Sequence, residues 1–351
     1  MLDAAAPLAT AARSARRAAP VVVAATGLVL VALGALAVGR YSIPIGQTGR
    51  ILIGQVIPIR HTWTDSQQRV ILLVRLPRVS LAALVGGGLA ISGAVLQAVF
   101  RNPLVNPQIL GVSSGASFGG ALGLLLGVGT AAQMGGAFAA GMASLAIVYT
   151  VSRARSGTPV LLIVLSGVIT GAFFSALVAL ITYLADPYDQ LPAIVFWLLG
   201  SLAAATQAKV AVAAVPVLLG TAAILLVRWR VNVLSLGDED AAALGVRPGP
   251  LRWLLLTAVA AIVAGAVAVS GVIGWVGLVV PHLVRMWIGP DHRRLLPVSS
   301  LAGAAYLIAI DTLARTTSPG EIPLGVLTAL IGAPIFFLLL RRNAARIWDD
   351  A

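Results

Sequence analysis

The sequence predicts an all-α polytopic membrane protein with ten transmembrane helices in one domain. Only 10% of its 351 residues are charged and 59% are hydrophobic, whereas a soluble globular chain carries about 25% charged residues. Apolar runs close to the ~20 residues needed to cross a bilayer recur along the whole length. The short alternating segments of a membrane β-barrel are absent.

Residues 1–19 carry Arg13, Arg16 and Arg17 and read as a cytoplasmic segment. The first span is 20–38. Its Ala35-Leu36-Ala37 mimics a signal-peptidase site, but the apolar run is longer than a typical signal h-region, so the span is expected to be retained. The second span, 76–100, and the third, 109–129, are joined by a tight Asn-Pro turn. Both are rich in Gly and Ser, which let helix backbones approach closely where lipid gives no hydrophobic drive. Helix packing alone would account for these residues; a seam that slides is the functional alternative. The fourth to sixth spans are 134–151, 160–185 and 210–227. The seventh, 253–271, and the short eighth, 274–288, are divided only by a Val-Ile step. The ninth is 295–314 and the tenth 324–340, with 343–351 as a cytoplasmic tail.

Placing the N-terminus in the cytoplasm puts sixteen of the 24 Lys and Arg residues inside and eight outside, which supports cytoplasmic N- and C-termini. Five of the outer arginines lie in one long loop, 39–75, where the rule is weaker. Trp229, Trp253 and Trp287 then fall at cytoplasmic edges, as an aromatic belt requires. The net charge of +12 is dispersed between spans, with no basic stripe carrying interleaved aromatics, so it reads as topology signalling and not as nucleic-acid binding.

Several chemistries are missing. No Gly-x-x-x-x-Gly-Lys-Ser/Thr occurs, so the chain has no P-loop. There is no Cys, and the three histidines, His61, His282 and His292, lack metal-ligand spacing; no catalytic or metal site is expected. Only Asp311, of twelve acids, falls within an apolar span. An ion-driven secondary carrier needs more intramembrane acids, and no paired constellation supports an intramembrane enzyme. Energy is therefore expected from another subunit. Asp311 could pair with Arg315 at i, i+4.

Between spans six and seven, the loop 228–252 holds Leu234-Ser235-Leu236-Gly237-Asp238-Glu239-Asp240 followed by Ala241 to Val246. Ser235 or Gly237 can cap a short helix with three acids in its first turn, where the helix dipole favours them. Gly245 can end it, and Pro248 and Pro250 stop any continuation. The loop is either a solvated connector or two short helices that dock a cytoplasmic partner.

The motifs RLPR (75–78), GLAISGAVLQAVFRNPL (88–104), LGVSSGA (110–116), SLGDEDAAALGV (235–246), GWVGLVVPHLVR (274–285) and EIPLGVLTALIGAPIF (321–336) together resemble the FecCD family. These are permease subunits of ABC importers for ferric siderophores, haem and cobalamin. The resemblance covers about residues 20–342, with the motifs in family order.

It implies a type II importer fold in the bacterial cytoplasmic membrane, working as a homodimer. Two cytoplasmic ATPases, which carry the ATP and Mg, and an external substrate-binding protein complete the importer; the chain itself has no intrinsic cofactor. Arg75 and Arg315 match positions that meet acids of the binding protein. Asn102, Pro103 and Leu104 match the cytoplasmic gate, which the turn containing Ser156 and Thr158 is expected to face. Span five would line the pathway through Ser166, Thr170, Phe173 and Phe174. Leu236, Gly237, Asp238, Glu239, Ala241, Leu244 and Gly245 match the coupling helices that seat in the ATPase. Ferric siderophore is the first expectation for the cargo; haem, cobalamin and an oxyanion such as molybdate are the alternatives. The outer segment 186–197 is a candidate for substrate selection.

Overall fold

A computed structural model describes residues 5–153, 160–318 and 320–349. Among them every regular element is helical. The α-helices are α1 (Ala5–Ala37), α2 (Ile45–Ile53), α3 (Asp65–Arg69), α4 (Leu76–Val99), α5 (Val112–Leu125), α6 (Thr130–Ser152), α7 (Val160–Leu184) and α8 (Gln190–Leu198). They continue with α9 (Gln207–Leu226), α10 (Arg228–Leu234), α11 (Asp238–Ala243), α12 (Pro248–Ser270), α13 (Val276–Ile288), α14 (His292–Thr317) and α15 (Leu324–Asp349).

Each of the ten expected spans is a helix: α1, α4 to α7, α9 and α12 to α15. Among the described residues seven helical stretches are long and apolar enough to cross a membrane. The helix α5, the helix α13 and the apolar part of α15 are shorter. The weak boundary between spans seven and eight is a true break, with Gly271 at φ 67° and Trp275 at φ 65°. The loop 39–75 is not open chain. It holds α2 and α3 around a small core of Ile43, Ile51, Trp63 and Ile71, and Thr64 and Gln67 form a capping box at the start of α3.

The centre of the fold is α4, buried along nearly its whole circumference. A helix that is apolar on all sides belongs inside a bundle. Its glycines set the distances: a Cβ on Gly93 would run into the Gly277 backbone of α13, and one on Gly86 into the Gly303 carbonyl of α14. Backbone contact of this kind is how helices associate where lipid is as apolar as leucine. A second group, α5 to α7, reaches α4 through the turn Pro107–Leu110, and α12 contacts both α4 and this group.

Three chain breaks satisfy one another. Ser201 N–H donates to Ser270 O at 2.8 Å, Leu324 N–H to Gly200 O at 2.9 Å and Gly325 N–H to Leu199 O at 3.0 Å. The ends of α8 and α12 and the start of α15 can therefore stop inside the helix bundle without leaving those amides unpaired.

Candidate functional site

The first part of the site lies where α1 ends. The helices α3 and α4 are joined through a π-helical segment, Val70–Arg75, with Leu76 N–H donating to Ile71 O, five residues back. Such a turn is wider than an α-turn and is frequent at functional sites. It leads into Arg75, Leu76, Pro77 and Arg78. Arg75 is buried and donates to Leu36 O and Ala37 O, both at 2.7 Å, and to Tyr41 O. Arg315 donates to Ala35 O. The two expected docking arginines thus meet: a Cβ on Gly39 would lie 2.8 Å from Arg75 and 3.0 Å from Arg315. Their guanidiniums bond the last carbonyls of α1, groups that a helix end leaves without intrahelical donors.

Arg78 was not anticipated and makes the strongest contacts here. It binds Asp311 with Nε to Oδ2 at 2.8 Å and Nη2 to Oδ1 at 2.9 Å, and Glu321 at 3.0 and 3.2 Å. The expected Asp311–Arg315 pair is only a loose approach of 4.0 Å. Bidentate geometry decides the competition, because two parallel charge-assisted bonds outweigh one distant charge. A cavity of about 170 Å³, lined by Arg40, Arg75, Arg78, Arg315 and Glu321 among others, opens above this cluster.

The second part is the turn between α4 and α5. Arg101 adopts φ 48°, Leu104 N–H donates to the Asn102 side chain at 2.9 Å, and Asn106 caps the 3₁₀ turn Pro107–Leu110. Asn102, Pro103 and Leu104 are all exposed at the tip. Behind it, the Gln97 side chain accepts from Arg285 at 2.9 Å, fastening α4 to α13. Ser156 and Thr158 lie outside the described residues.

The third part is the loop 228–252, where two short helices form as expected. Gly237, at φ 136°, precedes α11, and Asp238, Glu239 and Asp240 occupy its first turn. Gly245, at φ 78°, ends it, with Val246 N–H returning to Ala241 O at 2.9 Å. Ala241 is buried, whereas Leu236 and Leu244 are 58% and 57% exposed beside the acids. The buried Arg252 of α12 holds Asp238 at 2.6 Å. Asn232 of α10 donates to Asp291 at 2.7 Å and accepts from the His292 N–H at 2.8 Å. Burial pushes the Asp291 carboxyl up, but bonds from Asn232 and the Arg293 N–H, with the Arg293 and Arg294 charges, hold it below its usual value. Arg101 reaches this loop: a Cβ on Gly237 would lie 3.3 Å from its guanidinium. The turn between α4 and α5 and the loop 228–252 therefore touch within one chain.

Along α7, Ser166, Thr170 and Phe174 repeat every fourth residue and are buried within the protomer, with Phe174 packed on Phe118. Phe173 is 57% exposed and shares the open side with Leu165, Val168 and Ile169. In the segment 186–197, Trp197 of α8 packs against Gly120, and Phe196 is exposed.

The model of the FecCD transport family matches residues 27–342. The chain belongs to the FecCD transport family. It is a FecCD-family permease of an ABC importer and a multi-pass membrane protein. It is 45% identical, over 89% of its length and 92% of the relative's, to the molybdate import system permease protein of Haemophilus influenzae. It is 41% identical to the hemin transport system permease protein of Yersinia pestis, covering 91% and 94% of the two chains. It is 40% identical to a cobalamin import system permease protein of Halobacterium salinarum, covering 84% and 80%. Its fold matches a solved metal-chelate type ABC transporter in an inward-facing conformation, with TM-score 0.82, 43% identity and coverage of 92% and 98%.

Proposed function

We propose that this FecCD permease works as a homodimer in the bacterial cytoplasmic membrane, with both termini inside. Two cytoplasmic ATPases and an external binding protein act with it, and it imports a ferric siderophore. The observation that carries the choice of cargo is α7. None of its 25 residues is charged, and Leu161, Leu165, Val168, Ile169 and Phe173 are exposed on it. An open wall of this kind holds a bulky chelate, whose metal charge is already neutralised, by weak non-directional contact. The 43% identity to a metal-chelate type transporter supports the same reading.

In the cycle, the ATPases seat on Leu236, Leu244 and the acidic turn of α11 and pull on it. Arg101, lying against Gly237, carries that movement to Asn102, Pro103 and Leu104. Differential stability of the two gate states, rather than tight cargo binding, lets ATP drive the cycle. On the outer face, Arg40 stands exposed at the rim. Arg75 and Arg315 accept acids of the binding protein only by exchanging them for the α1 carbonyls.

A second cargo, an oxyanion, is favoured by the 45% identity to the molybdate permease. Reconstitution with the ATPase and the binding protein separates the readings. ATP-dependent uptake of labelled ferric chelate supports the proposal. Uptake of molybdate alone moves it to the second cargo, and transport without the ATPase overturns it.

A further inference from the structure

The helices α6 and α9 both pack on α12 but leave a gap between them. The gap is a cavity of about 640 Å³, flanked by Met134 and Phe138 on α6 and by Val212 and Pro216 on α9. Its floor is the α12 face with Ala258, Ala261, Gly265 and Ala268, whose short side chains give the groove its depth. Nothing from the uncharged open face of α7 or from the outer and inner clusters borders it. The volume falls within the roughly 300–1,000 Å³ of small-molecule sites.

The groove touches α9 from Val212 to Ala223, about 16 Å along the axis at ~1.5 Å per residue. That is about half of the ~30 Å hydrocarbon core, the depth of one leaflet. Lys209, the sole lysine of the chain, stands at the head of this stretch. It is seven residues before Pro216 and three before Val212, which puts it on the groove face of α9 at the membrane end of the cavity. Its side chain is half-buried, and among the described residues its ammonium has no hydrogen-bond or ion-pair partner.

We propose that this groove is a binding site for one acidic phospholipid, with an acyl chain between α6 and α9 and its phosphate on Lys209. The two parts of the site match the two parts of that ligand: an uncharged slot one leaflet deep, and one unpaired cation at headgroup level. A second protein copy would bring no anion to Lys209 from an apolar helix face.

Two variants test head and tail separately. Lys209→Gln removes the cation. Gly135→Phe fills the slot, because nothing lies within 4 Å of a Cβ at Gly135 and the ring extends into open space. The full importer complex is placed in nanodiscs of mixed phosphatidylglycerol and phosphatidylcholine, and lipid retained by the protein is counted by native mass spectrometry. The wild type is expected to retain phosphatidylglycerol preferentially. Lys209→Gln should weaken that retention about fivefold, the worth of one lysine at an anionic headgroup, and Gly135→Phe should abolish it while the complex stays assembled. Equal retention of both lipids by the wild type, or unchanged phosphatidylglycerol in either variant, overturns the site. Efficient cross-linking of Gly135→Cys between two copies of the chain overturns it as well.

Discussion

Replacing Arg78 by Met should be among the most damaging single changes outside the tight glycine crossings. Asp311 is 3% exposed at its side chain and accepts three bonds from Arg78, between 2.8 and 3.0 Å. Without Arg78, the next cation is Arg315 at 4.0 Å, beyond hydrogen-bond range. Removing one member of a buried pair costs about 3–5 kcal/mol, because the other charge is left uncompensated. Glu321, with 29% of its side chain exposed, falls back on water and adds at most ~1 kcal/mol. The double variant Arg78→Met with Asp311→Leu removes both charges and should recover most of the ~3–5 kcal/mol lost in the single change, since an apolar replacement of a buried pair is close to neutral. The assay is reversible unfolding of the purified chain in mixed micelles, run as a double-mutant cycle. A single-variant cost below ~1 kcal/mol, or a double variant that loses the sum of both single losses, would refute a tightly coupled buried pair.

The glycine crossings give a paired prediction. Gly93→Ala places a methyl on the Gly277 backbone and should cost at least the ~1–3 kcal/mol of overpacking. Gly135→Ala, with open space around it, should gain ~0.5–1 kcal/mol; thermal unfolding that ranks the two the other way contradicts the packing described. Leu236→Asp with Leu244→Asp alters only exposed side chains and should weaken ATPase capture at least about tenfold, as the loss of two interface anchors does; undiminished binding in a pull-down titration removes α11 from the interface. Asn232→Ala should flatten the acid dependence of stability. The folded Asp291 carboxyl is held low, so its contribution is present above the usual carboxylate pKa and is lost as pH falls through the folded value. An unfolding profile from neutral to acid pH identical to wild type would show that Asn232 contributes nothing there.

The ten apolar helices, seven of them long enough to span among the described residues, were legible because hydrocarbon imposes a length, and apolar length is a local property of the chain. The short helix α11 was legible for a similar reason. A glycine before three acids and another glycine after Leu244 specify start, dipole and stop within ten residues. The partners of Asp311 were not legible. Arg78 is 233 positions away, and the local i, i+4 rule pointed to Arg315, which instead reaches the end of α1. Reading Arg78 as the second arginine of RLPR, beside the chain's sole intramembrane acid, would have suggested the pair. Which side of α7 faces inward was also hidden. In a membrane both faces of a helix are apolar, so Ser166, Thr170 and Phe174 carry no mark that separates protomer interior from open wall. The short helices α2, α3 and α8 were missed because they lie in segments too short or too polar to register as spans. The contact of Arg101 with Gly237 joins two motifs separated by more than a hundred residues.

The most direct test of the central claim follows the proposed gate. Leu104 is 51% exposed and tolerates a spin label as Leu104→Cys. In the reconstituted importer, the distance between the two labels is measured by pulsed electron resonance without nucleotide and with ATP held by a hydrolysis-deficient ATPase. The coupling described here predicts two distinct distances that switch with nucleotide, and a switch that disappears when Arg101 is replaced by Ala. A single distance in both states, in an importer that still transports, would contradict it.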